Sequence, residues 1–298
     1  MRVGVIGLGL MGTALTQRFV DAGLEVLAYD VDEEQREASA ALGAKPQSTL
    51  SAVIAGCEVN VIAVFDTSQV EDVIAGQGGA LDMIAQGDTG ARTFIVTTTC
   101  DPERLSALAQ RVAPGGVRVL EVPISGSSGQ VAKGEGVGLV GGDPELAESA
   151  RTVLDAICPQ RHYLGAVGQG SRAKLAVNLI LGLNRAAVAE GLVFACRLGL
   201  DPIPFLQVAR ASAAYSQVMD VKGELMARRE YDPAQSRVDQ SLKDFKLMLA
   251  QARASGQALP FAATYVKMLE DCVKHGEAAF DNAAIAEAIS RQRNKKPT

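Results

Sequence analysis

The chain has 298 residues, 48% of them hydrophobic and 21% charged, with a formal net charge of −5. That length can bury a large core and suits two domains better than one, and the composition is that of a globular protein rather than a disordered one. The acidic balance offers no footprint for a phosphate backbone, so nucleic acid is not the expected partner.

In chain order, Met1 runs directly into the strand-like RVGVI (2–6), without the charged region, apolar segment and cleavage site of a secretory signal, so the expected location is cytoplasmic. Further β-rich runs follow at 25–30, 58–64, 93–99, 117–123 and 136–142, with amphipathic segments between several of them. This alternation predicts an α/β fold: βαβ units forming a doubly wound, mostly parallel sheet covered by helices. After RHYLG (161–165) the β-rich runs stop. A helical pattern then extends from Ser171 to about Leu198, roughly 42 Å at the helical rise. Others follow at about 203–212, 217–228, 235–255, 260–275 and 283–292, punctuated by Pro202, Pro233, Pro260 and Gly276. The expected division is 1–165 and 166–298, with the long helix leading into an all-helical second domain. Its most apolar stretch, 175–183, is interrupted by Asn178 and flanked by Lys174, Asn184 and Arg185. It falls short of the ~20 clean residues a membrane span needs and reads as a buried helix. The terminal RQRNKKPT reads as a frayed, solvated tail.

Cys57, Cys100, Cys158, Cys196 and Cys272 are odd in number and contain no C-x-x-C pair, and two histidines could join them. Neither a disulfide framework nor a metal site follows, and reduced, mostly buried thiols are expected.

Gly7, Gly9 and Gly12 make G-x-G-x-x-G. Alone the motif is weak: with 30 glycines in 298 residues it arises by chance ~0.3 times in such a chain. Here a strand precedes the loop, an amphipathic helix (Met11 to Ala22) follows it, Gly23 supplies the C-cap, and a second strand ends in Asp30. In that context Gly7 permits the tight turn, Gly9 lets backbone approach a pyrophosphate, and Gly12 allows close helix–strand packing. Leu8, Leu10 and Met11 complete a loop whose helix N-terminus faces the anion. Residues 1–165 therefore read as a dinucleotide-binding domain of Rossmann type. Asp30 is placed to accept hydrogen bonds from a ribose diol and to repel a 2′-phosphate. Val31 and Asp32 beside it offer no arginine, so NAD is favoured over NADP.

A second glycine cluster, VPISGSSGQVAKGEG (122–136), follows another strand and packs Ser125, Gly126 and Ser127 together. Their hydroxyls and close backbone N–H groups can hold a carboxylate without a positive charge, though a flexible loop has the same composition. Lys174 and Asn178, four residues apart, share one face of the long helix. By themselves they read as a snorkelling lysine and a solvated amide.

GVIGLGLMGTALTQRFVDAG, VPISGS, the G-x-G-x-x-x-K-x-x-x-N of Gly168, Gly170, Lys174 and Asn178, and SLKDFKLMLAQA (241–252) occur in this order. Together they resemble the β-hydroxyacid dehydrogenases, a family that includes 3-hydroxyisobutyrate dehydrogenases and tartronate semialdehyde reductases and is related to 6-phosphogluconate dehydrogenase. The resemblance implies an oxidoreductase transferring a hydride between NAD(H) and a small 3-hydroxy acid or its semialdehyde. Lys174 would be the general acid/base, Asn178 would hold the substrate or the lysine, and Ser125 and Gly126, with Ser127, would bind the carboxylate. Val64, Phe65 and Thr99 would sit by the cofactor, and Lys243, paired with Asp244, near the nicotinamide. The resemblance further implies a homodimer or homotetramer; from the cysteine spacing no metal, and from the apolar pattern no membrane, is expected. A lysine suits the chemistry, since oxidising an alcohol carbon needs its hydroxyl proton removed and the reverse needs one delivered.

The match loosens at three places. Ser127 stands where many members have a third glycine, Ser236 where an aromatic is common, and AVFDTSQ (63–69) replaces the usual Leu-Pro, putting Phe65 and Asp66 over the cofactor. These departures bear on the substrate. An imine reductase-like enzyme is the alternative within the fold, although such enzymes generally lack a lysine at this position. A non-catalytic nucleotide-binding sensor is another, but it need not keep Ser125, Lys174, Asn178 and Lys243 together.

Overall fold

Runs of valine and isoleucine too apolar to leave one side in water become the strands of a parallel sheet. The computed structural model describes residues 1–87, 90 and 92–292, which divide into two units, Met1–Lys174 and Leu175–Thr298. In the first unit, β1 (Arg2–Ile6), β2 (Glu25–Tyr29), β3 (Lys45–Pro46), β4 (Val59–Ile62), β5 (Arg92–Val96) and β6 (Val117–Glu121) lie in the order β3-β2-β1-β4-β5-β6. Every neighbouring pair is parallel. Because successive side chains point to opposite faces, each strand feeds two cores. Val3, Val5, Val61, Ile95 and Leu120 enter one apolar cluster, whereas Ile6, Ile62, Phe94, Val96 and Val119 enter the other. The strand order reverses between β1 and β4, the position at which such sheets bind ligands beyond their carboxyl ends.

The apolar run at 136–142 is not a strand of this sheet, which it meets through an antiparallel bridge between Gly141 and Glu121. Pro123 has no N–H to continue the ladder after β6. The chain there forms a separate sheet of β7 (Ile124–Ser125), β8 (Val137–Val140) and β9 (Gln160–Tyr163), antiparallel between β7 and β8 and parallel between β8 and β9.

Beyond it runs the long helix Gln169–Arg197. Its opening turns, through Lys174, lie in the first compact unit. The second unit adds Pro202–Ala211, Gln217–Arg228, Val238–Ala254, Pro260–Lys274 and Ile285–Arg291. Local chemistry starts these helices: Asp201 accepts from Ile203 N at 2.9 Å and Pro202 fills the first position, whose N–H would have no helical partner. In the core, Phe245 and Tyr265 meet edge to face with centroids 4.6 Å apart, against a helix surface that Gly182 leaves without a side chain. Arg185 is buried and donates to the Tyr265 hydroxyl at 3.1 Å.

Two expectations need correcting. The stretch 175–183 is only partly buried: Leu175 and Gly182 are inside, Gly182 against Phe245 and Tyr265, while Val177 and Ile180 on another face are exposed. By length and composition alone, the whole helix Gln169–Arg197 is the one helix among the described residues that could cross a membrane. Arg291, assigned to a frayed tail, ends a helix and is bonded to Asp271 at 2.8 Å and to Glu277 at 2.7 Å. The rest of that tail, 293–298, lies outside the described residues.

Burial pushes the Cys57 and Cys158 thiols up to about 11 and the Cys272 thiol to about 12. Cys100 is buried as well, and Cys196 is exposed. A thiol pKa raised this far leaves almost no thiolate at pH 8, and burial denies entry to the reagent. Native protein treated with a chromogenic disulfide reagent at pH 8 should therefore release one equivalent, from Cys196, with the other four reacting only after denaturation.

Candidate active site

The glycine loop closes the end of β1. Gly7 has φ 92°, and a Cβ there would lie 2.7 Å from the Ala63 carbonyl oxygen; on Gly12 a Cβ would collide with the Gly7 carbonyl. The chain's own packing thus demands both glycines. At Gly9 a Cβ would meet nothing within 4 Å. Open space above Gly9 is what a closely approaching ligand needs, and a side chain would fill it. Gly9 also caps α1 (Leu10–Asp21) without a side-chain bond, so the helix's first N–H groups have no internal acceptor and face that space. These residues fit a dinucleotide pyrophosphate.

Asp30, just past β2, accepts from Leu8 N at 2.6 Å on one oxygen and from Asp32 N at 3.0 Å on the other. Each oxygen keeps a lone pair for a further donor. The strand end does carry an arginine, contrary to the sequence expectation. Arg36, one turn into α2 (Glu33–Ala41), folds back and donates to the carbonyl oxygens of Asp30 and Val31 at 2.8 and 3.2 Å. Beyond β4, Val64 borders Gly7 and its carbonyl accepts from Thr98. Phe65 N donates to Gln69 at 2.8 Å, and Asp66 caps the following helix, Thr67–Ala75. Thr99 follows β5 in the same carboxyl-end region of the sheet.

The most consequential group is one the sequence reading passed over. Glu121 ends β6 as the single acid in the apolar run VRVLEVPIS and is fully buried. One of its oxygens accepts from Gly168 N at 2.5 Å and Gly170 N at 2.8 Å, the other from Ser171 N at 3.0 Å and Ser171 Oγ at 2.6 Å. Burial pushes its carboxyl above the ordinary value, and the four donors pull it partly back. These donors are the first turn of the long helix, whose N-terminal dipole also favours an anion. Gly170 makes room for it, and Gly168 avoids the Ser106 hydroxyl. Gly168 has φ 100°, and a Cβ on Gly170 would collide with the Leu139 carbonyl and come within 3.1 Å of Glu121 Cδ.

One turn further, Lys174 is 7% exposed and donates from Nζ to the Ile124 carbonyl at 2.6 Å. Ile124 precedes Ser125, so the first unit by itself brings the lysine to the Ser-Gly turn. Gly126 there has φ 144°, a conformation that favours glycine. Ser127 is engaged as a helix cap: its hydroxyl accepts from Gln130 N at 3.3 Å and its N–H donates to Gln130 Oε1 at 2.9 Å.

In the second unit, Asn178 Nδ2 donates to Asp244 at 3.1 Å, and Lys243 Nζ lies 3.0 Å from the other oxygen of the same carboxylate. The Asn178 side-chain oxygen is buried with no hydrogen-bond partner among the described residues. Asp244, visible in the sequence only as the neighbour of Lys243, is thus the shared partner of two expected site residues.

A parallel sheet with this loop at its reversal point defines a dinucleotide-binding fold of Rossmann type. Residues 2–165 match the family model described as the NAD binding domain of 6-phosphogluconate dehydrogenase, and residues 168–289 match that described as NAD-binding of NADP-dependent 3-hydroxyisobutyrate dehydrogenase. The chain is 30% identical to the 2-hydroxy-3-oxopropionate reductase of Escherichia coli over 99% of both sequences. Its fold is similar to that of a 3-hydroxyisobutyrate dehydrogenase from Salmonella typhimurium (TM-score 0.85, 24% identity, 96% of this chain and 99% of that one). It is likewise similar to Psf3 in complex with NADP+ and 2-OPP (TM-score 0.86, 22% identity, 97% and 100%). The chain belongs to the β-hydroxyacid dehydrogenase family, and it is an NAD(P)-dependent hydroxyacid dehydrogenase or reductase acting on CH–OH groups.

Replacing Glu121 with Gln keeps an acceptor for one pair of donors but turns an amide N–H2 toward the other pair. Unsatisfied buried donors of this kind cost about 3 kcal/mol, and urea denaturation should show a loss of that order.

Proposed function

We propose that the enzyme moves a hydride between NAD(H) and a small 3-hydroxy acid or its semialdehyde, with Lys174 as general acid/base. The observation that carries this reading is the buried Lys174 ammonium, held by the Ile124 carbonyl next to Ser125 and one helical turn before Asn178. When bound, the nicotinamide supplies the hydride acceptor or donor. In oxidation Lys174 takes the hydroxyl proton as the neutral amine and becomes the ammonium; in reduction the ammonium gives that proton to the carbonyl oxygen and becomes the amine. Ser125 and Gly126 hold the substrate carboxylate and so fix the reacting carbon. Asn178, its N–H2 committed to Asp244, offers its unpartnered oxygen to a substrate hydroxyl.

NAD is the preferred cofactor on this reading, because the Asp30 carboxylate accepts from a ribose diol and repels a 2′-phosphate. Val64, Phe65, Thr99 and Lys243 serve the cofactor on this reading. The exposed apolar side of the long helix, Val177, Ile180 and Phe194, supports a homodimer or homotetramer, which we place in the cytoplasm. An imine reductase is disfavoured by Lys174 itself.

A panel of hydroxy acids offered with NAD should give turnover only with β-hydroxy acids bearing a free carboxylate; equal activity on their methyl esters would overturn the reading. Lys174→Ala should lower kcat ~10²–10⁴-fold. With no tryptophan in the chain, NADH emission reports binding directly, and that affinity should change little in the variant.

A further inference from the structure

Arg36 is a charged group that this reading leaves without a role. Its guanidinium lies back over the end of β2, with Nη1 donating to the Asp30 and Val31 carbonyls at 2.8 and 3.2 Å. Its central carbon is 5.9 Å from the centre of the Tyr29 ring, and Nη2 is 3.8 Å from the Glu33 carboxylate. Main-chain acceptors and an aromatic face therefore keep a cation within one residue of the Asp30 carboxylate. The end of β2 carries both groups that can read a ribose 2′ position: a carboxylate that accepts from a diol and a guanidinium that pairs with phosphate. Val31, between them in sequence, is 86% exposed and leaves the approach open.

The other acids nearby oppose a phosphate less than Asp30 does. Asp32 is spent as the cap of α2, accepting from Glu34 N at 3.0 Å. The Glu33 side chain is 80% exposed, and Glu34 and Glu37 are exposed as well, so solvent and salt screen their charges. Asp30 alone is tied to the glycine loop, through Leu8 N.

We propose that Arg36 is a latent 2′-phosphate-reading residue, held at the ribose end of the cofactor site and masked by Asp30, so that one carboxylate sets the preference for NAD over NADP. The proposal rests on the NAD reading given above.

The test is fluorescence titration of the cofactor-free chain with NADH and NADPH, in the parent, Asp30→Ser, Arg36→Leu and the double variant. The ratio of NADPH to NADH affinity should rise about tenfold in Asp30→Ser, the size of one guanidinium–phosphate bond, and fall back when Arg36→Leu is added. An equal rise in the double variant would mean that relief of repulsion suffices, and would overturn the proposal. Asp30→Asn, which retains an acceptor for the turn, covers the case in which serine loosens the loop and the variant does not fold. No rise in either folded single variant also overturns the proposal. A parent chain that binds NADPH more tightly than NADH overturns the NAD reading instead, an outcome separate from the comparison with and without Arg36.

Discussion

The buried carboxylate of Glu121 is the interaction on which the arrangement of the catalytic candidates depends. A charge with no access to water persists only if its oxygens are satisfied, and here four donors from the start of one helix satisfy them. The bond network ties the last residue of β6 to the first turn of the long helix. Three residues on from Glu121, the Ile124 carbonyl receives the Lys174 ammonium. The anion and the lysine are thus both held by one short piece of strand, and the geometry of one constrains the other. That tie is also why the opening turns of the helix count with the sheet-containing unit.

Glycine has separate duties in the two motifs. In the dinucleotide loop, Gly7 and Gly12 are required by the packing of the chain on itself, and Gly9 keeps open a space that nothing in the chain enters. In the motif before Lys174, both glycines serve the chain: they admit Glu121 and avoid the Ser106 hydroxyl and the Leu139 carbonyl. A motif with the look of a ligand-binding loop is there a helix-docking device. The same distinction applies to the serines, since Ser127 is consumed in a capping box and Ser125 is not.

The parallel strands, the dinucleotide loop and the helical second half were legible because each is local. Strand-length apolar runs, a glycine pattern followed by an amphipathic helix, and prolines at helix starts act over a few residues, and their meaning survives without knowing the neighbours. The run at 136–142 was legible as a strand but not as a member of a separate sheet, since partner choice depends on Pro123 turning the chain away. Arg36 escaped notice because a helical side chain reaches back over the preceding turn, which brings it to a strand end that the linear sequence places several residues away.

By itself, then, the sequence determined the strands, the glycine loop and the helical second half, and it singled out Asp30, the Ser125–Gly126 turn, and Lys174 with Asn178 as candidates for the chemistry. Tertiary structure alone decided how they are held. Glu121 and Gly168 are 47 residues apart, and Asn178 and Asp244 are 66 apart. No periodicity spans such distances. A lone acid in an apolar strand announces only that some partner must exist, because burying an unpaired charge is too costly. Which donors meet it is settled only when the helix and the strand are packed together.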